Sequence, residues 1–167
     1  MQKKYVVAIG SINVDEYLES ATWPELGDKV VAKKHSTQLG GMISNFSCNL
    51  ATTGIKTYLI NRFANDEYLT MFKEELDKYE VDYSYSEVID NVESTKCLVT
   101  NTGGERTIIV ILGDYRKYTL TSEQLKLIKN AEYVYTTPHE LARIINIDAI
   151  LELCKTTKLV LDVETID

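Results

Sequence analysis

The sequence predicts an α/β fold, and three observations carry the prediction. YVVAIG at residues 5–10 is a continuous apolar run that ends in glycine, the pattern of a strand buried on both faces of a parallel sheet. Strand-like and helix-like segments then alternate along the chain, the rhythm of α/β architecture. TKCLVTNTGGERTIIVIL at residues 95–112 interrupts the alternation with two β-rich runs and no helix between them. At 167 residues the chain has room for one domain with a sizeable core.

The elements follow in order. Residues 28–38 mix apolar and charged side chains loosely, which predicts an exposed or edge strand. A helix is predicted from Ser44 to Thr53, with Phe46, Leu50 and Ala51 on its apolar face and Gly54 as its left-handed stop. KTYLIN at 56–61 is the next strand. Asp66 can cap a helix whose apolar stripe is Leu69, Phe72, Leu76 and Tyr79, with Glu74 and Lys78 paired at i, i+4. NTGG gives the 95–112 hairpin glycines for positive φ, and LTSEQL offers a capping box between Thr121 and Gln124 with a staple between Leu120 and Leu125. YVYTT at 133–137 reads as another buried strand. NIDAILELC places Ile147, Ile150, Leu151 and Cys154 on one helical face, and KLVLDV at 158–163 follows as a last strand. A buried parallel strand normally has a neighbour on each edge, so a stop at Asp167 predicts a fold with a part missing.

Composition narrows the function classes. A net charge of −7 opposes binding to a phosphodiester backbone, so nucleic acid is not the expected partner. No stretch reaches the roughly 18 to 20 apolar residues of a membrane span. The apolar part of the N-terminal segment is short and runs into Asp15 and Glu16, which reads as a first strand and not a signal peptide, and the cytoplasm is the expected compartment. Cys48, Cys97 and Cys154 are widely spaced beside apolar residues and read as reduced core thiols. With no CxxC and only two histidines, His35 and His139, no metal site is expected. A small ligand remains the natural partner.

Candidate residues cluster where glycine and polar side chains follow apolar runs. GSINVD at 10–15 stands where a dinucleotide fingerprint would, but Ile12 and Asp15 replace its second and third glycines. Asp15 can accept hydrogen bonds from two vicinal hydroxyls, or it can cap a turn. Gly40 and Gly41 permit close backbone approach to a ligand and place Asn45 in the first turn of the following helix. Taken alone, the glycine pair is more simply read as a bare helix-entry turn with Ser44 or Asn45 as cap. Asp162 and Glu164 lie at the end of the last strand, either near a ligand or in a plain turn. His139 and Glu140 follow Pro138 at the crevice edge, where capping a helix N-terminus is the simpler role. His35 is expected to face solvent.

Taken together, VVAIGSINVD, LGGMISNFSCNLATTG, FANDEYL and GGERTIIV stand in the order and at the spacing of the N-terminal half of the PfkB, or ribokinase-like, carbohydrate kinases. The resemblance covers nearly the whole chain. It implies a doubly wound, mostly parallel sheet with a small β-sheet lid, truncated, with residues 1–167 as the N-terminal part of one domain. The lid segments would be about 16–20, 28–38 and 95–112, closing over the substrate and excluding water. The implied reaction is transfer of the ATP γ-phosphoryl to a hydroxyl of a sugar, polyol or nucleoside, with Mg2+. Asp15 matches the family's substrate-hydroxyl aspartate, Gly40, Gly41 and Asn45 match its glycine-glycine and asparagine positions, and Asn13 joins this expected substrate site. Asp162 and Glu164 match a region near the phosphates. In several members the lid also forms a homodimer.

The sequence departs from the family pattern in three places. Met42 and Ile43 replace a lysine and a small residue usual in ribokinases, which puts ribose in doubt as substrate. Ala64 and Leu69 replace glycines usual in the segment that here reads FANDEYL. A DTxGAGD-type run, which in the family supplies the oxyanion hole and the aspartate base, is absent from the 167 residues. The expectation is a chain that carries the sugar-binding half, has no catalytic residue and binds no ATP or Mg2+ alone. The alternative is a non-catalytic sugar-binding or dimerisation module.

Overall fold

The computed structural model describes residues 5–163. In chain order its elements are β1 (Tyr5–Ile9), β2 (Asn13–Glu19), β3 (Lys33–Gly40), α1 (Met42–Ala51), β4 (Lys56–Ile60), β5 (Arg62–Ala64), α2 (Leu69–Lys78), β6 (Glu87–Ile89), β7 (Thr95–Thr102), β8 (Glu105–Ile111), α3 (Ser122–Lys129), β9 (Tyr133–Thr136), α4 (Pro138–Leu141), α5 (Ile147–Leu153) and β10 (Lys158–Leu161).

The central sheet has the order β10-β9-β1-β4 and is parallel throughout. Val7, Ala8 and Ile9 of β1 have no exposed surface, which is why that run is apolar at every position. Val7, Ile9, Ile60 and Val134 pack with Leu127, Ile128 and Ile150 from α3 and α5. Ala8, Leu59 and Tyr135 pack on the other face with Ile43 and Cys48 of α1 and Phe72 and Leu76 of α2. Helices therefore cover both faces, as in a doubly wound fold. The chain runs from β1 to β4 on one side, then returns across β1 to β9 and β10. The carboxyl end of β1 is thus a topological switch point, the place where such sheets open a crevice.

A second sheet, order β3-β2-β7-β8, stands beside that crevice. β2 pairs antiparallel with β3 and parallel with β7, and β7 pairs antiparallel with β8. Gly103 and Gly104, at φ +60° and +90°, make the two-residue turn of the β7–β8 hairpin. Asp15 lies inside β2, beyond the loop that follows β1, and so does not cap a turn there. Residues 28–32 carry no strand. A short parallel pair, β5 with β6, was not legible in the sequence.

Local chemistry explains most helix ends and two packing surprises. Thr121 Oγ1 accepts from Gln124 N at 3.2 Å while Gln124 Oε1 accepts from Thr121 N at 2.8 Å, the capping box that starts α3. Asp66 is not the cap of α2, whose N-cap is Tyr68 without a side-chain bond, but its Oδ1 accepts from Tyr68 N at 3.0 Å in the turn before the helix. Gly54 ends the α1 turn at φ +80°. The buried side of α1 is Ile43, Ser44, Ser47 and Cys48, while Phe46, Leu50 and Ala51 are only partly buried. The two serines can be buried because each donates to a nearby carbonyl, Ser44 to Gly40 and Ser47 to Ile43. On α5, Leu151 is 50% exposed and Ile150 carries the contact. Lys78 pairs with Glu75 at 3.4 Å and not with Glu74. Among the described residues no helix is long and apolar enough to cross a membrane.

Candidate functional site

A cavity of about 400 Å³ lies between the carboxyl end of β1, the start of α1 and the inner face of the second sheet. Strand alternation decides what faces it. Asn13 and Asp15 project from β2, Thr95, Cys97 and Val99 from β7, and Arg106, Ile108 and Val110 from β8. The pairings of Asp15 with Cys97 and of Cys97 with Val110 put these side chains on one face. Gly41, Met42, Ile43 and Asn45 close the cavity from α1, and Ser11, His139, Glu140 and Arg143 from the end of the central sheet.

The glycine pair acts through space that it leaves empty. A Cβ on Gly40 would fall on the carboxyl group of Asp15, so that glycine makes room for the aspartate itself and does not line the cavity. Gly41 sits at φ +97°, and a Cβ there would lie 3.3 Å from the Asn13 side chain. Gly41 is also the N-cap of α1, which has no side-chain cap, so neither Ser44 nor Asn45 serves as one. Ser44 Oγ instead donates to the carbonyls of Gly40 and Gly41, at 2.5 and 2.9 Å, and pins the turn. Asn45 is exposed on α1 and faces the cavity with its side-chain amide unpartnered among the described residues.

Burial raises the Asp15 carboxyl above the usual aspartate range, while a hydrogen bond from Cys97 and the charge of Arg106 draw it part of the way back. Asn13 Nδ2 donates to Cys97 Sγ at 3.5 Å. Neither Cys97 nor Arg106 was singled out from sequence as a site residue. The alternation of the hairpin strands was the signal that could have placed them, once β7 was known to pair with β2.

A second cluster supports the cavity's far wall. Glu140 and Arg143 form a buried ion pair at 3.1 Å, each side chain 6% exposed. Ser11 donates to Glu140 through its backbone N and Oγ at 3.3 and 3.2 Å, and Tyr118 Oη donates to it at 3.0 Å. Burial, then the Glu140 carboxylate, pushes the Tyr118 hydroxyl far above its usual range. Arg143 Nη2 also donates to the carbonyls of Asp114 and Arg116 at 2.8 and 3.3 Å, tying this wall to the segment that leaves β8. Arg62 and Arg116 pair with Asp114 at 2.8 and 2.7 Å. Burial pushes the Asp114 carboxyl up, but the Arg116 hydrogen bond and the Arg62 charge outweigh it and hold the group below its usual value.

Other expected positions fall elsewhere. Thr137 caps α4 by accepting from Glu140 N at 3.1 Å, so the capping role read for His139 and Glu140 belongs to Thr137. Asp162 accepts from Tyr135 Oη at 2.5 Å just past β10, outside the cavity lining. Glu164 lies outside the described residues. His35 is on β3, with Nε2 2.7 Å from the Glu19 carboxylate at the surface. Cys48 is buried and Cys154 half-buried, and burial holds the Cys48 thiol up at about 11. Among the described residues no group of three or more His, Cys, Asp or Glu is arranged to hold a metal ion.

Residues 3–156 match the profile of the pfkB family of carbohydrate kinases. The chain belongs to that family. Among curated pfkB-type relatives, a ribokinase from Arabidopsis thaliana is 27% identical over 135 residues, which covers 77% of this chain and 36% of that protein. A Bacillus subtilis ribokinase is 25% identical over 108 residues, 65% of this chain and 37% of that protein. The solved structure of Arabidopsis ribokinase with ribose and ATP superposes with a TM-score of 0.80 at 23% identity, covering 98% of this chain and 54% of that one. The Cryptococcus neoformans ribokinase with ADP gives 0.71 at 16% identity, covering 95% and 49%. The chain thus spans about half the length of the solved ribokinase-like chains, and the shared fold is that half.

Proposed function

We propose that this chain holds the substrate of an ATP-dependent carbohydrate kinase, which phosphorylates a hydroxyl of a sugar or a related polyol or nucleoside. The observation that carries the reading is the Asp15 carboxylate, delivered into the cavity by a glycine whose missing side chain it replaces, with Asn13 and Asn45 beside it. An ionised carboxylate accepts from two hydroxyls at once, and each amide offers a donor and an acceptor, which suits a polyhydroxylated ligand. Met42, Ile43, Ile108 and Val110 add apolar surface between these polar groups and those of the opposite wall, Ser11, His139, Glu140 and Arg143.

Phosphoryl transfer itself is assigned to sequence beyond this chain. The ATP site, Mg2+ and the base belong in this proposal to the half of the relatives' length that these residues do not span. In this reading Asp162, just past the carboxyl end of β10, lies on the side from which phosphates would approach. Isothermal titration with D-ribose and other pentoses, with and without ATP, tests the reading. Sugar binding without ADP production is the expected result. Sugar-dependent ADP production by this chain, free of contaminating kinase, would show that the base lies within it, and no binding of any sugar would remove the reading.

One observation favours a self-association role beside it. β8 is an edge strand of the lid sheet, with Ile109 and Ile111 of its outer face 45% and 47% exposed. Such an edge invites a second copy, as expected of a lid dimer. Sedimentation equilibrium of the chain, against a variant carrying Ile109→Lys, distinguishes a lid dimer from a monomer.

A further inference from the structure

Asp15 sits on β2 between β3, where its register partner is the exposed Gln38, and β7. On the β3 side Gly40 contributes no side chain, and on the β7 side its register partner is Cys97. Cys97 is 7% exposed, lines the cavity and touches both polar groups of β2. Its sulfur accepts from Asn13 Nδ2 at 3.5 Å, and as the register partner of Asp15 it stands where its S–H can donate to that carboxyl. Cys48 and Cys154 belong to the apolar packing on either face of the central sheet and do neither.

A thiol suits this place for physical reasons. Its sulfur is a weak acceptor and its S–H a weak donor, so one atom can take an amide proton and give its own to a carboxylate. Asn13 is then held with Nδ2 toward the sulfur, which leaves its amide oxygen for a ligand hydroxyl. The Asp15 carboxylate gains a donor that favours its ionised, hydroxyl-accepting form. Alanine would leave both groups without that partner, and a longer side chain would enter the space they occupy.

We propose that Cys97 is a positioning residue of the substrate site, its thiol holding the Asn13 amide and the Asp15 carboxylate in their cavity-facing arrangement. The use of that arrangement rests on the sugar-binding reading above, but the arrangement itself does not.

The test compares the whole chain with Cys97→Ser, which keeps a donor and an acceptor, and Cys97→Ala, which keeps neither. Carbon-13 NMR follows the titration of the Asp15 carboxyl, and calorimetry measures D-ribose binding. Arg106, the charged side chain that also acts on Asp15, is the same in every variant. In Cys97→Ala the Asp15 midpoint is expected to rise by about half a pH unit or more, and in Cys97→Ser to stay closer to the parent. Ribose affinity is expected to fall about fivefold in Cys97→Ala and to recover in Cys97→Ser, as the loss of one hydrogen bond implies. A space-filling role would leave the Asp15 midpoint alike in all three, and that result overturns the proposal. If neither ribose nor any other sugar tried binds any of them while the midpoint moves as stated, the sugar reading fails and the positioning role stands. Cys97→Val, which fills the space without the hydrogen bonds, supplies the same comparison if the alanine variant does not fold.

Discussion

The two four-stranded sheets differ in what they ask of their residues. The central sheet is parallel, covered by helices on both faces, and apolar at nearly every position of β1. The lid sheet mixes parallel and antiparallel pairs and turns one face to the cavity, and it carries Asn13, Asp15, Cys97 and Arg106. The central sheet carries the buried core, and the second sheet carries most of the side chains read as candidates for ligand contact. The buried Glu140–Arg143 pair sits where they meet, belonging to the central sheet's end while bonding to the segment that leaves β8.

That division can be broken most severely at the junction and in the core. Arg143→Ala should cost about 3 to 5 kcal/mol, because it strands the buried Glu140 carboxylate. Thermal unfolding checks it, and Glu140→Gln with Arg143→Met should recover much of the loss. Phe72→Ala, under the central sheet and 1% exposed, should cost a similar ~3 to 5 kcal/mol by opening a cavity. If ribose affinity in the surviving folded fraction of Phe72→Ala fell as far as stability did, the two sheets would not be separable.

The next changes should damage the site more than the fold. Gly40→Ala places a methyl on the Asp15 carboxyl and should weaken ribose binding about tenfold or more, the scale of a charge-assisted hydrogen bond. Asp15→Asn should abolish binding but should not destabilise at neutral pH. Its carboxyl titrates higher folded than unfolded, so its ionisation opposes folding above the unfolded value, and that opposition is relieved as pH falls through the folded one. Ribose affinity runs the other way: it needs the carboxylate and should decline with acid from a higher pH than the value near 4 of an exposed aspartate. Denaturant titration beside calorimetry at several pH values separates the two effects. The smallest change is expected at the hairpin tip, where Gly104→Ala at φ +90° should cost about 1 kcal/mol and leave ribose affinity untouched.

The same division explains what the sequence made legible. β1 and β9 were readable because burial on both faces leaves an unbroken apolar run, and α3 because its capping box is complete within four residues. α1 misled because Ser44 and Ser47 are buried through bonds to local carbonyls, which hydrophobic periodicity does not register. Leu151 misled in the opposite sense, since α5 is short and meets the core mainly through Ile150. In the cavity, Asn13, Asp15, Gly41 and Asn45 stood out because they cluster around glycines in two short stretches. Cys97, Arg106 and Arg143 are brought there by pairing and packing with residues far away in the chain, which composition and spacing do not display. Gly40 was noticed for the right absence but given the wrong tenant, since the space belongs to Asp15 and not to a ligand.

The parallel pairing of β2 with β7 has a consequence in time. The residues that flank Asp15 on that side are joined to it across most of the α/β unit, so the entropy of closing that long loop opposes the contact until much of the chain is in place. The cavity should therefore be completed late, after the β1–β4 pair, whose strands are joined across a shorter stretch of chain. During synthesis Asp15 emerges early and waits for Cys97 and the hairpin to arrive. Amide exchange should show the same order in reverse, with β2 and β7 opening before β1 and taking the Asp15 carboxylate with them while the central sheet is still intact.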